Sequence, residues 1–500
     1  MSDTRRRRAA RVFIAAAAAL VALPAASAQA AKTQQSIIQD EHQMLQLGPA
    51  VQARALDDAA NLGADIIRVN VAWSNYAPSP TKKKRPKKFN GSKPAAYSQK
   101  KFAMLDSLIA GAQQRGMQVM LTPTGTIPAW ASRCSGSVKA RSTCKPSPTE
   151  YGRFVRALGK RYPQVKLWSI WNEPNLKSWL SPQYSAGGTL QSAALYRSLA
   201  ASAIAGLRST GHSKGNTILL GETAPIGSDP SLCNRGSAKS RHRCFTHLIQ
   251  ARPEDFLRDV FCLSSSGHRL TGAAASAQKC SGYKKLRVNG FAHHPYTNGG
   301  GQPPLARPNA RDITIAVTSR LSRLLDQAGK AGRVPKHLPI WFTEDGFQTN
   351  PPDRLFGVTF AQQATYMNQS DWIAYKNPRV KAVAQYKLID DAAQSSFQTG
   401  VRTTNGAAKP SYDAYRLPIW VSGKGSQATV YGQVRPAPDS SAQQVEVQHA
   451  AKAGAAFQTV QTVAVGTLKG QFTVKVANQG GLWRLRWNGI VSREAEVAPR

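Results

Sequence analysis

The chain reads as an α/β protein: a (β/α)8 barrel followed by an all-β sandwich of immunoglobulin-like type. Three observations carry that reading. Short apolar runs alternate with amphipathic stretches between about residues 36 and 412. The long insertions follow the apolar runs and not the amphipathic ones. From residue 421 the pattern changes to two-residue alternation broken by Gly, Pro, Asn and Ser.

Taken in order, the apolar runs predict strands at 37–45, 66–71, 118–122, 166–171, 217–220, 286–292, 339–343 and 380–388. Between them, apolar residues recur at helical spacing over 50–62, 100–115, 148–161, 195–209, 312–328 and 360–376. Eight strands alternating with helices close most simply into a barrel. An open doubly wound sheet would want a glycine-rich phosphate turn after its first strand, and Leu47-Gly48-Pro49 is not one. Insertions at 74–98, 125–146, 223–247 and 298–308 would all emerge at the C-terminal end of the barrel, where chemistry is done. Beyond the barrel, alternation over 428–432, 444–448, 457–465, 472–476 and 482–487 predicts a small sandwich. Trp483 and Trp487 share one strand face there. Core packing is the favoured reading and a sugar-binding platform the other.

The first thirty residues stand apart. Arg5 to Arg8 and Arg11 precede an apolar stretch at 12–23 and a small-residue pattern, Ala28-Gln29-Ala30. The stretch is well short of the ~20 residues a spanning helix needs, and no later run would span. The predicted division is therefore a signal peptide at 1–30, a barrel at 31–420 and a sandwich at 421–500, in a secreted, soluble protein with no transmembrane span, expected to be a monomer. The six cysteines fall into sequence-local pairs, Cys134 with Cys144, Cys233 with Cys244 and Cys262 with Cys280. None lies in a zinc-like spacing, so disulfides are expected, although six cysteines allow about 15 connectivities.

The formal net charge is +39. Such a surface favours polyanions, whether acidic glycans, anionic cell walls or nucleic acid. The densest cluster, Lys82-Lys83-Lys84-Arg85-Pro86-Lys87-Lys88, has no interleaved aromatic residue and no nucleic-acid fold around it. A solvated basic loop is the favoured reading, with no specific nucleic-acid partner.

The most informative motif is Trp171-Asn172-Glu173-Pro174-Asn175 at the end of the fourth predicted strand. A second isolated carboxylate, Glu344, ends the seventh, in Leu338-Pro339-Ile340-Trp341-Phe342-Thr343-Glu344. Cleaving an acetal needs a carboxylic acid to protonate the leaving oxygen and a carboxylate facing the anomeric carbon. A lone Glu after a strand is ordinarily a solvated turn residue, but Trp171 and Pro174 on either side of this one disfavour free solvation. Glu222 also ends a strand and reads as a loop or substrate-contacting residue. His293 and His294 would project to opposite sides of a strand, and no third ligand accompanies them, so no metal is expected. Trp73, Trp130 and Trp179 lie in or beside predicted loops and could stack on sugar or be buried beneath those loops.

Asn-Glu-Pro after the fourth strand and Thr-Glu after the seventh resemble the clan A retaining glycoside hydrolases, including the cellulase-like family five and family thirty-nine. The resemblance covers about residues 36–416 and extends to Ile67-Arg68-Val69, Pro128-Ala129-Trp130 and His294-Pro295-Tyr296. It implies Glu173 as acid/base and Glu344 as nucleophile, with Asn172 bonding the sugar 2-hydroxyl. Arg68, His294 and Tyr296 would then surround the nucleophile. The group usually carries Trp at the end of the eighth strand. Here Tyr386 stands there beside Lys387, which points to an anionic or otherwise unusual sugar. The implied partner is a carbohydrate, with no cofactor. The alternatives are a non-catalytic glycan- or wall-binding protein on the same scaffold, or a transglycosidase.

Overall fold

The structure, a computed structural model, describes residues 33–234, 236–393, 396–437 and 442–498. The signal peptide expected at 1–30 lies outside the described residues. Eight parallel strands close into a barrel in sequence order. They are β1 (Gln35–Gln39), β2 (Ile66–Ala72), β3 (Gln118–Thr124), β4 (Leu167–Ser169), β5 (Thr217–Thr223), β6 (Gly290–His293), β7 (Ile340–Phe342) and β8 (Val380–Tyr386). A principal helix follows each in turn: α1 (Pro49–Asn61), α2 (Gln99–Gln114), α3 (Pro148–Arg161), α4 (Gln191–Arg208), α5 (Pro253–Val260), α6 (Thr318–Lys330), α7 (Phe360–Tyr375) and α8 (Pro410–Arg416).

Strand alternation sorts the core into two layers. Ile37, Ile66, Met120, Leu167, Leu219 and Trp341 fill the barrel interior. Their neighbours Ile38, Ile67, Leu121, Trp168, Leu220 and Phe342 belong to the larger core shared with the helices. Because Ile66 points inward, so does Arg68 two residues on, toward the C-terminal end. Helix starts are marked locally: Ser98 caps α2, Ser147 caps α3 with Pro148 behind it, and Thr359 and Gln362 form a capping box on α7.

Two strands differ most from expectation. The first ends at Gln39, and His42–Gln46 forms a π-helical turn. Asp40 enforces the break, accepting from Gln43 N–H on one side and from the Leu388 and Ile389 N–H groups beyond β8 on the other. The sixth strand begins at Gly290, not 286. Leu286 and Val288 are buried, but Leu286 N–H bonds Arg333 O, outside the barrel sheet. An apolar run thus signalled burial without strand pairing.

The three disulfides join Cys134 to Cys144, Cys233 to Cys244 and Cys262 to Cys280, the sequence-local pairs. They suit an oxidising compartment. Among the described residues no helix is long and apolar enough to cross a membrane.

The C-terminal residues form antiparallel sheets of three and four strands, from β9 (Ile419–Lys424) to β15 (Ile490–Val491). Trp483 and Trp487 are buried in their shared core, at 1% and 5% exposure, so they form no sugar platform. Lys469 bonds Asp65 and Arg493 bonds Asn368, fastening the sheets to the barrel.

Candidate active site

A cavity of about 1030 Å³ opens at the C-terminal end of the barrel, with Glu41, Asn172, Glu173, Trp179, Glu344 and Tyr386 among its walls. Both glutamates singled out in the sequence therefore face one hollow. Trp171 and Glu173 hold φ of +67° and +36°, a left-handed backbone that non-glycine residues adopt only under constraint. The constraint is visible. Trp171 N–H bonds Pro123 O, Asn172 N–H bonds Thr124 Oγ1, and the buried Trp171 ring meets Tyr151 edge-on at 5.0 Å. Asn175 then ties this loop to the next, donating to Ala224 O and Ala251 O.

Arg68, fully buried, is the hub. Its Nη1 donates to Glu344 Oε1 at 2.8 Å and also to Gln39 Oε1. Its Nη2 donates to Asn172 Oδ1 at 2.9 Å and to Glu222. Burial opposes ionisation of Glu344, but the charges of His294 and Arg68, with hydrogen bonds from Arg68 and Gln39, outweigh it. Its carboxyl is held below the ordinary range. Tyr296 donates to Glu344 Oε2 at 3.3 Å, and burial with the Glu344 charge pushes its phenol well above the ordinary value.

His294 sits otherwise than expected. Its Nδ1 lies 3.0 Å from Glu173 Oε1 and 3.5 Å from Glu344 Oε2, so it spans both glutamates and is nearer the first. Its Nε2 lies 3.2 Å from Glu222 Oε2. His293 points away, between Thr223 Oγ1 and Ile313 O, and burial lowers its pKa to about 3. Donor atoms of Glu173, His294 and Glu344 all lie within 4.8 Å of one another, which is also close enough for a metal ion. Those atoms already engage one another, and Arg68 places a fixed positive charge on the same carboxylate, which disfavours a second cation.

Other expectations are corrected. Glu222 is neither a loop residue nor a substrate contact. It is fully buried beneath the cavity, where Arg68, His294 and Thr122 surround it. A register shift between Leu220 and Thr223 turns it inward. Gly221 makes the shift possible, with φ +130° and no room for a Cβ, which would stand 2.0 Å from Ala292 O. Trp73 and Trp130 were candidate stacking platforms, but they meet edge-on at 5.7 Å in an aromatic cluster with Phe154 and do not line the cavity. Their rings pack under the loops because the cluster buries more apolar surface than a solvated wall would. Trp179 does line the cavity and donates Nε1–H to Glu173 Oε2 at 3.2 Å. Tyr386 forms part of the wall, edge-on to Phe397. Lys387 is not among the residues that line the cavity. It is buried against Asp391, with Asp40 at 4.0 Å.

Sequence reasoning missed Glu41, because the first strand was drawn through it. Glu41 Oε1 accepts from Gln39 Nε2 at 2.9 Å and from Asn70 N–H at 2.8 Å. The same Gln39 amide reaches Glu344 Oε1 at 3.1 Å. Among the described residues no other residue donates a hydrogen bond to Glu41 Oε2, and Glu41 lines the cavity. Burial raises its pKa, against the lowering charge of Arg68.

The cellulase (glycosyl hydrolase family 5) profile matches residues 30–249, a span that includes Glu173 and stops before Glu344. No curated protein sequence matches the chain. Among solved structures, a family 39 glycoside hydrolase from the gut symbiont Bacteroides cellulosilyticus WH2 aligns with TM-score 0.50 at 12% identity, over 89% of this chain and 81% of that one. GH5_18 from Streptomyces cattleya, in complex with GlcNAc, aligns with TM-score 0.45 at 15% identity, over 77% and 79%. A GH30 endoxylanase from Clostridium papyrosolvens C71 aligns with TM-score 0.45 at 10% identity, over 91% and 95%. The profile match thus runs through the fifth strand, and the closed eight-stranded barrel is the fold of the family 39 enzyme, so the chain is similar to clan A glycoside hydrolases.

Proposed function

We propose that the enzyme is secreted and cleaves O-glycosidic bonds with net retention, by double displacement between Glu344 and Glu173. The observation that carries this reading is the approach of the two carboxylates, with one oxygen of each inside 4.8 Å. Retaining sites hold their carboxyl groups about 5–5.5 Å apart, whereas inverting sites leave about 6.5–9.5 Å for a water.

The surroundings fit the two roles. Glu344, kept ionised by Arg68 and Gln39, attacks the anomeric carbon while Glu173 gives its proton to the leaving oxygen. Trp179 and His294 hold the two Glu173 oxygens. Having given its proton to the leaving group, Glu173 is left as the carboxylate that takes a proton from the incoming water as that water displaces Glu344 from the sugar. Asn172, held by Arg68 and lining the same cavity, is the residue assigned to bond the sugar beside the reacting carbon. Tyr386 walls the subsite. The basic n-region and apolar stretch ahead of residue 30, with three disulfides, support export.

Glu173→Ala tests the acid role. Hydrolysis of glycosides with poor leaving groups should fall roughly 10²–10⁴-fold, the usual scale of general acid catalysis. Activated aryl glycosides, which need no proton on departure, should lose far less in their first step. Equal losses for both classes would contradict the assignment.

Glu41 gives a second expectation. Its Oε2, to which no other described residue donates, is an acceptor for a hydroxyl of the reacting sugar. In Glu41→Gln the amide oxygen keeps the Gln39 and Asn70 donors, which puts the NH2 where Oε2 stood. An acceptor becomes a donor, and kcat/KM should fall about tenfold or more, chiefly through KM. Unchanged steady-state constants would remove Glu41 from the subsite.

A further inference from the structure

A second groove of about 720 Å³ runs beside the catalytic cavity, and Leu176 and Ser178 form walls of both. Three lysines line it, Lys139, Lys145 and Lys177, and no acidic residue does. None of the three makes an ion pair among the described residues. Among the described residues, their only side-chain hydrogen bond is from Lys177 Nζ to Thr246 O at 3.2 Å. The groove is built in advance. The Cys134–Cys144 disulfide closes one wall, Lys145 N–H bonds Ser181 O at 2.9 Å, and Lys177 N–H bonds Ile249 O at 2.7 Å. Ile249, 61% exposed, adds an apolar patch to the same wall.

We propose that this groove holds the leaving-group side of an anionic polysaccharide whose cleaved bond lies between Glu173 and Glu344. The inference rests on the hydrolase reading above and names its substrate class. The direction follows from chemistry. The acid stands on the leaving-group side of the bond, and the segment that leads from Glu173 through Leu176 to Ser178 divides the two hollows. Charge separates the ends. The catalytic cavity mixes Glu41, Glu173 and Glu344 with Lys100 and Lys101, whereas the groove carries lysines and no acid, so an anionic chain is drawn most strongly along the groove. A glycan fits better than a nucleic acid, since no aromatic ring lines the groove to stack a base. The apolar face of a sugar ring can lie on Ile249.

With +39 on the chain, polyanions will bind almost any surface of it, so the test must locate the binding. The full chain carrying Glu344→Gln is acetylated with and without polymer at physiological salt, and protection of each lysine is read by mass spectrometry. The probes are matched pairs, carboxymethylcellulose against hydroxyethylcellulose and polygalacturonate against its methyl ester. A charged member should protect Lys139, Lys145 and Lys177 at least about threefold more than Lys82–Lys84, and its neutral partner should not. In the otherwise unaltered enzyme, Lys139→Gln, Lys145→Gln and Lys177→Gln together should raise KM for the charged polymer about fivefold or more and leave an activated aryl glycoside within about twofold. Uniform protection across surface lysines, or none, overturns the groove assignment while the hydrolase reading stands. Groove protection without cleavage of any glycoside overturns the hydrolytic reading instead.

Discussion

Glu344→Gln is expected to lower kcat by roughly 10⁴-fold or more while leaving the fold intact, the scale seen when a covalent nucleophile is removed. The amide is isosteric but carries no charge and cannot form the glycosyl ester. The fold should persist because Arg68, the buried cation that Glu344 serves, keeps Glu222, Gln39 and Asn172. Near-normal circular dichroism and a thermal midpoint within a few degrees would show that. The measurement is turnover of whichever aryl glycoside the enzyme cleaves best, so that weak acid catalysis cannot mask the result. Loss of less than about tenfold would place the nucleophile elsewhere. The candidates would then be few, since Glu41 is the one other carboxylate besides Glu173 among the cavity-lining residues described. Stereochemistry is read from the intact enzyme. A double displacement releases the first product with the anomeric configuration of the substrate, and an inverting enzyme releases the opposite anomer.

Much of this site was legible in the sequence because a barrel converts order along the chain into position in space. A carboxylate that ends strand four and another that ends strand seven must both reach the C-terminal rim, whatever the helices do. What the sequence hid were directions and small irregularities. Trp73 and Trp130 follow strands just as Trp179 does, but only Trp179 turns toward Glu173, and loop side chains carry no period from which that could be read. Glu222 is turned inward by a bulge. The one available clue was a glycine immediately before an acid at a strand end. Lys387 has its partner, Asp391, four residues on, which the sequence displays but strand alternation obscures. Glu41 was lost to an overextended strand. Asp40 next to it marks the true boundary, since a buried carboxylate that caps two turns ends a strand rather than continues it.

Arg68→Met should be the most destabilising single change at the site and should abolish activity as well. Arg68 is fully buried and is the guanidinium that Glu222 and Glu344 share. Methionine fills much of the volume but supplies no charge or donor. Two buried carboxylates, with Gln39 and Asn172, then lose their common partner. Removing one member of a buried ion pair costs about 3–5 kcal/mol, a large fraction of the usual 5–15 kcal/mol that holds a domain folded. The shift of the urea midpoint measures it. The sign of the pH dependence follows from Glu344. In the intact enzyme its carboxyl lies below the ordinary value of 4.5, so its pairing stabilises the fold above that pH, and the contribution is lost as pH falls through the depressed value. Without Arg68 one of the charges opposing burial is gone, the carboxyl titrates higher, and protonation relieves the variant as the solution is acidified. The stability gap between the two proteins should therefore be widest near neutral pH and narrow toward about pH 4. Adding Glu222→Gln to Arg68→Met removes one of the orphaned charges and should restore part of the loss, with a coupling energy of about 1–3 kcal/mol in the double-mutant cycle. A gap that stays constant with pH, or a cycle that is additive, would mean that Arg68 holds the barrel rim by packing and not by pairing the carboxylates below and beside it.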